Sequence, residues 1–166
     1  MKNQPMLDLP KTTLEIWLDV ASWIFAAFGF ALALGSFSDL PEQIPIHFNA
    51  AGEADGYSSK SAVFLLPVLS SGLIVLMISL AKSPHQFNYL HKITTENAAF
   101  EYRKARMIIR VTNALVSLMF TAITWHIIRV ANGSQAKLGL WFGMLIAIIV
   151  IAPIVLLVAW RDKKGQ

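Results

Sequence analysis

Four apolar runs, each about as long as a bilayer is thick, dominate this chain. They are "LEIWLDVASWIFAAFGFALALG" (14–35), "SAVFLLPVLSSGLIVLMISLA" (61–81), "MIIRVTNALVSLMFTAITWHIIRV" (107–130) and "LGLWFGMLIAIIVIAPIVLLVAW" (138–160). A helix needs roughly 20 residues to cross about 30 Å of hydrocarbon. Open strands would leave backbone N–H and C=O groups unpaired in lipid. The pattern therefore predicts an all-α integral membrane protein, a four-transmembrane-helix bundle forming one domain over 1–166. Only 14% of the residues are charged, against about a quarter in soluble domains. The first run carries Glu15 and Asp19 and outlasts the apolar core of a signal peptide, about 7–15 residues, so it reads as a retained span. Cysteine is absent, which excludes a disulfide framework and thiolate metal sites.

The distribution of lysine and arginine predicts the orientation. Lys2 and Lys11 precede the first run, and Arg161, Lys163 and Lys164 follow the fourth. The connection at 82–106 carries Lys82, Lys92, Arg103, Lys104 and Arg106, whereas the other two connections hold one lysine each, Lys60 and Lys137. Both termini and the basic loop at 82–106 are thus expected to be cytoplasmic, and the segment at 36–60 extracytoplasmic. The net charge of +4 is read as basic cytoplasmic loops and not as a nucleic-acid surface. Trp23 and Trp141 are expected toward the outer interface, and Trp17 and Trp160 toward the inner one. The lipid bilayer is the first partner implied.

The outer segment contains "LPEQIPIHFNAAGEADGYSSK" (40–60). Ile44, Ile46 and Phe48 alternate with Pro45, His47 and Asn49, which predicts a short ordered extended piece with one apolar and one polar face. Pro41 and Pro45 exclude a helix and confine any strand to an edge. Gly52 and Asp55-Gly56 predict a turn, and Ser58 or Ser59 a cap for the second span. His47, Asn49, Glu53, Asp55, Tyr57 and Lys60 are the candidate ligand-binding residues of this segment. His126, near the outer end of the third run, is the candidate link from the bundle to it.

The inner connection ends in "TTENAAFEYRKAR" (94–106), with a capping threonine, an early Glu96 and late cations, an order that complements a helix dipole. It is expected to extend the third span as one long helix with a basic collar at the lipid head groups. Glu15 and Asp19 lie one turn apart on the first run, and Arg106 and Arg110 one turn apart on the third, at the same depth. Ionisable groups at that depth need partners, so these four are expected to form a structural ion pair between the helices. Asn113 and Ser70-Ser71-Gly72 fit close helix packing, and Pro153 is expected to kink the fourth span.

No nucleophile elbow, phosphate loop or paired-histidine motif is present. The order Leu-Pro, Ile-Pro-x-His-Phe-Asn, Gly-Glu-x-Asp-Gly and Ser-Lys in the outer segment resembles the signature of a bacterial domain of unknown function, DUF1648, and "FNYLHKITTENAAFEYRKARMIIR" (87–110) resembles its inner loop. Pro45, His47, Phe48, Asn49, Gly52, Glu53, Asp55, Gly56 and Lys60 match motif positions. The same domain forms the N-terminal part of SdpI-type immunity proteins, which protect a producing cell from its own secreted peptide toxin and act as signalling receptors; this chain ends after four spans, before their C-terminal membrane portion. The resemblance implies a multi-pass protein of a bacterial cytoplasmic membrane whose outer segment senses, or gives immunity to, an extracytoplasmic peptide or toxin, with a further cytoplasmic or membrane protein partner for the signal. No catalytic residue and no cofactor is implied. The alternatives are a metal-dependent membrane enzyme holding a divalent ion on His47, Glu53, Asp55 and His126, and a small scaffolding subunit of a membrane complex.

Overall fold

The computed structural model describes residues 4–134, 137 and 139–160. Leu138 and the terminal cations Lys2, Arg161, Lys163 and Lys164 lie outside the described residues. The elements are α1 (Thr13–Ser36), β1 (Gln43–Phe48), β2 (Ala54–Ser59), a 3₁₀ turn (Lys60–Phe64) leading into α2 (Leu65–Leu80), a short 3₁₀ turn (Pro84–Gln86), α3 (Ala98–Ala131) and α4 (Leu140–Ala159). Four of these helical stretches are long and apolar enough to cross a membrane, so this is a multi-pass membrane protein. The helical bundle expected from the runs is present, and a two-stranded sheet is added to it.

α1 begins on a capping box. The Thr12 hydroxyl accepts from the Glu15 N–H at 3.2 Å, and Glu15 Oε2 accepts from the Thr12 N–H at 2.7 Å, so two orphan amides of the first turn are satisfied. The buried positions of α1 are Glu15, Asp19, Ser22, Ala26, Gly29 and Ala33, a seam repeating in steps of four and three. Small side chains along it let α3 approach closely, which is how helices associate in lipid. Thr121 of α3 then donates across the seam to the Phe25 carbonyl at 2.7 Å. Ser22, Ser117 and Thr124 return their hydroxyls to carbonyls of their own helices, which satisfies each of these donors within its own span.

α3 is 34 residues long, about 51 Å by helical rise, and outruns the bilayer core. The single long helix expected here forms, but its start is Ala98 with Asn97 at the cap, and no threonine side chain caps it. The reason is that Asn97 Oδ1 takes the Thr94 N–H at 2.9 Å, folding 94–97 into a turn ahead of the helix. The segment before α1 packs across this extension. Tyr102 Oη donates to the Pro5 carbonyl at 2.8 Å, Arg106 Nη1 to the Leu9 carbonyl at 2.7 Å, and Gln4 to the Phe87 carbonyl at 3.1 Å. Ile93, Ala98 and Tyr102 form a small core there with Leu9 and Tyr89.

α4 packs on α3 yet buries none of its own residues. A helix apolar all round suits a lipid environment. Pro153 lies inside it without ending it. Trp141 stands at its start, and Trp23 sits about 15 Å along α1 by helical rise.

Candidate ligand site at the hairpin end

β1 and β2 pair antiparallel, with Gln43 opposite Ser59 and Phe48 opposite Ala54. The turn is built by Asn49. Its Oδ1 accepts from the Ala51 and Glu53 N–H groups at 2.9 and 3.0 Å, and its backbone exchanges hydrogen bonds with Gly52 and Glu53. Gly52 has φ of 77°, a left-handed conformation that glycine adopts without strain. Asp55 and Gly56, expected in the turn, instead belong to β2. Gly56 faces His47 across the ladder, and a Cβ there would stand 2.9 Å from the His47 Cβ. The glycine is thus a cross-strand requirement and not a turn signal. Neither serine caps α2: β2 runs to Ser59, whose hydroxyl pairs with that of Ser61 at 2.8 Å, and the 3₁₀ turn intervenes.

The ladder slips between Pro45 and His47 and again between His47 and Phe48. A bulge of this kind re-aims side chains, and here it breaks the expected alternation. Ile44 and Pro45 are both buried, while Ile46 is 48% exposed and His47 is exposed. Ile44 seats the hairpin, packing with Ala33, Leu40, Val63, Ile127 and Ile128. Phe48 reaches the His126 ring, 5.4 Å between centroids. His126 is fully buried and meets the Trp141 ring edge-on at 5.7 Å.

The expected site residues therefore divide. His47 Nδ1 pairs with Asp55 Oδ1 across the strands, both side chains open to solvent. Asn49 shapes the turn. Glu53 Oε1 meets Lys137 Nζ at 2.6 Å, beside a backbone bridge between the same two residues, which ties the α3–α4 connection to the hairpin. Lys60 pairs with Glu42 at 2.9 Å and lies over the Phe37 ring. Tyr57 is 59% exposed. His126 supports the hairpin from below through Phe48. Among the described residues no three histidine, aspartate or glutamate side chains group closely enough to hold a metal ion. The four-ligand centre on His47, Glu53, Asp55 and His126 is not assembled, because Lys137 takes Glu53 and two aromatic rings take His126.

Beside the His47–Asp55 pair opens a groove of about 270 Å³, whose walls include Ile46, Phe48, Leu65, Leu66, Ile127 and Phe142. With Nδ1 turned to Asp55, the carboxylate orients the ring and the imidazole presents Nε2 for a ligand. The combination of an apolar slot with one orienting polar pair is the usual make-up of a small binding site. In the sequence, Lys137 and Trp141 bear only on topology and the aromatic belt, and Phe142 on neither; none is a candidate site residue there. They come from the α3–α4 connection and the start of α4, which only the folded bundle brings beside 44–57.

At the opposite end Glu15, Asp19, Arg106 and Arg110 come together. Arg106 Nε and Arg110 Nη1 stand 2.9 and 3.1 Å from Glu15 Oε1. Arg110 Nε is 3.2 Å from Asp19 Oδ1, and Lys11 reaches Asp19 Oδ2 at 2.8 Å.

The Lys137 hydrogen bond, followed by that of Asn49 and the Lys137 charge, holds the Glu53 carboxyl below its ordinary range. A depressed carboxylate contributes stability that is present above its ordinary pKa and lost as pH falls through the lowered one. The tie to Lys137 should thus persist at pH values where free glutamate is half protonated. Carboxyl ¹³C titration of Glu53 should show its midpoint rising in Lys137→Ala; an unmoved midpoint would remove Lys137 as the cause.

No curated protein and no solved structure matches the chain. Residues 24–70, which run from within α1 through the whole hairpin into the first turns of α2, match the family model described as "Domain of unknown function (DUF1648)".

Proposed function

We propose that the hairpin end is the receptor surface of a bacterial cytoplasmic-membrane protein, facing outward and binding a secreted peptide, as a sensor of or immunity factor against it. The observation that carries this reading is the apolar groove of about 270 Å³ opening beside the exposed His47–Asp55 pair. An apolar side chain of the peptide would enter between Phe48 and Ile127, and a polar group would meet His47 Nε2. Orientation follows from charge. The hairpin-end lysines, Lys60 and Lys137, are each paired with a glutamate, while the cations of 82–106 favour the cytoplasmic face. α3 carries both His126 under the hairpin and Arg106 and Arg110 at the other end, so it is the element through which occupancy would be passed to a cytoplasmic or membrane partner.

Expression in a sensitive bacterium is expected to raise survival against a secreted hydrophobic peptide, and His47→Ala to remove that gain. A typical hydrogen bond is worth about 0.5–1.5 kcal/mol, so the peptide affinity of the purified variant should fall by roughly two- to tenfold. Full protection by a His47→Ala, Asp55→Ala double variant would overturn the reading.

A further inference from the structure

A second cavity, of about 220 Å³, lies at the end of the bundle opposite the hairpin, with Leu7, Leu9, Lys11, Lys82, Arg106 and Arg110 among its walls. Its depth follows from the helices around it. α1 begins at Thr13 and α2 ends at Leu80, so two apolar spans terminate at its level, where a bilayer changes from hydrocarbon to head groups. The segment before α1 covers one side and turns apolar groups outward, with Met6 80% and Leu7 39% exposed.

The charge of this cavity is not closed. Four cations, Lys11, Lys82, Arg106 and Arg110, face three carboxylates, Asp8 of the same wall and Glu15 and Asp19 behind it. Arg106 and Arg110 are held rigid and buried by Glu15 and Asp19, and Lys11 by Asp19. Lys82 makes no ion pair with any described residue. An exposed cation beside two guanidiniums fixed by carboxylates, at head-group depth and next to outward leucine and methionine, is suited to a phosphate whose attached chains continue into lipid.

From this geometry we infer a phosphate-binding site for the phosphodiester of an anionic phospholipid, with Lys82 and the Arg106–Arg110 edge on the phosphate and Asp8 accepting from a head-group hydroxyl. The site is independent of the peptide-binding reading, since it lies at the other end of the bundle and does not depend on which side of the membrane that end faces.

The full chain in nanodiscs of phosphatidylcholine mixed with phosphatidylglycerol provides the test, with the lipid retained after extraction read by native mass spectrometry. Wild type should retain phosphatidylglycerol preferentially. Lys82→Glu should lose that preference by about fivefold or more, the factor expected for one surface cation, and Lys82→Gln by less. Lys82 lies outside the buried network, so melting in pure phosphatidylcholine should match wild type. A second arm adds inorganic phosphate to the detergent-solubilised protein. A rise in Tm that Lys82→Glu abolishes, without any lipid preference, would keep the phosphate chemistry and assign the site to a free phosphate. Equal retention of the two lipids with no response to phosphate overturns the inference. A preference or phosphate response of the same size in Lys82→Glu overturns it as well.

Discussion

Glu15→Ala is expected to destabilise the folded bundle by about 3–5 kcal/mol, the cost of removing one partner from a buried ionic cluster. Glu15, Arg106 and Arg110 are 1%, 5% and 2% exposed, so losing the carboxylate leaves two largely buried guanidiniums short of their partner. The same carboxylate takes both arginines and closes the capping box at the start of α1, so its loss also frees the Thr12 N–H. Glu15→Gln keeps an acceptor for Thr12 but no charge, and should lie between the two. Replacing Glu15, Arg106 and Arg110 together by methionine should recover much of the loss, since well-packed apolar side chains can replace a buried cluster at little cost. Reversible unfolding in mixed micelles measures all three. A loss below about 1 kcal/mol for Glu15→Ala, the size of an exposed pair, would show that the cluster does not hold α1 to α3.

His126→Ala is expected to be the most damaging change at the hairpin end, on the order of 2–4 kcal/mol for a fully buried ring. Its ring touches β1 through Phe48 and α4 through Trp141, so one truncation removes the support shared by three elements. Phe48, a wall of the groove, loses the ring behind it, and peptide affinity should fall although His126 does not itself line the groove. His126→Phe retains a ring of similar breadth and should recover most of the packing. Hydrogen exchange localises the effect. Amides of β1 should exchange faster in His126→Ala while those of the α1–α3 seam stay protected. Unchanged exchange in β1 would mean that Ile44 alone seats the hairpin.

What could be read along the chain differs from what could not for identifiable reasons. The spans were legible because hydrocarbon thickness sets helix length directly. The cluster of Glu15, Asp19, Arg106 and Arg110 was legible because charges at equal depth in lipid must meet. The capping box was equally readable, as Thr12 and Glu15 stand at the required spacing. The second strand was not legible. "ADGYSS" carries turn residues and little β propensity, and it becomes a strand because β1 is seated by Ile44 and offers it a ladder. Strand preference is largely a property of neighbours.

The linear order of residues determined how many times this chain can cross a membrane, which ionisable groups must pair, and that 40–60 is compact and polar. Each follows from local composition measured against one solvent boundary. Only the tertiary structure decided that Asp55 joins His47 while Glu53 turns to Lys137, and that His126 lies under Phe48. It also decided that the segment before α1 closes over a cationic cavity. These outcomes depend on a strand slip and on contacts between residues far apart in sequence, and pairing at that range is settled by which surfaces the packed helices bring together.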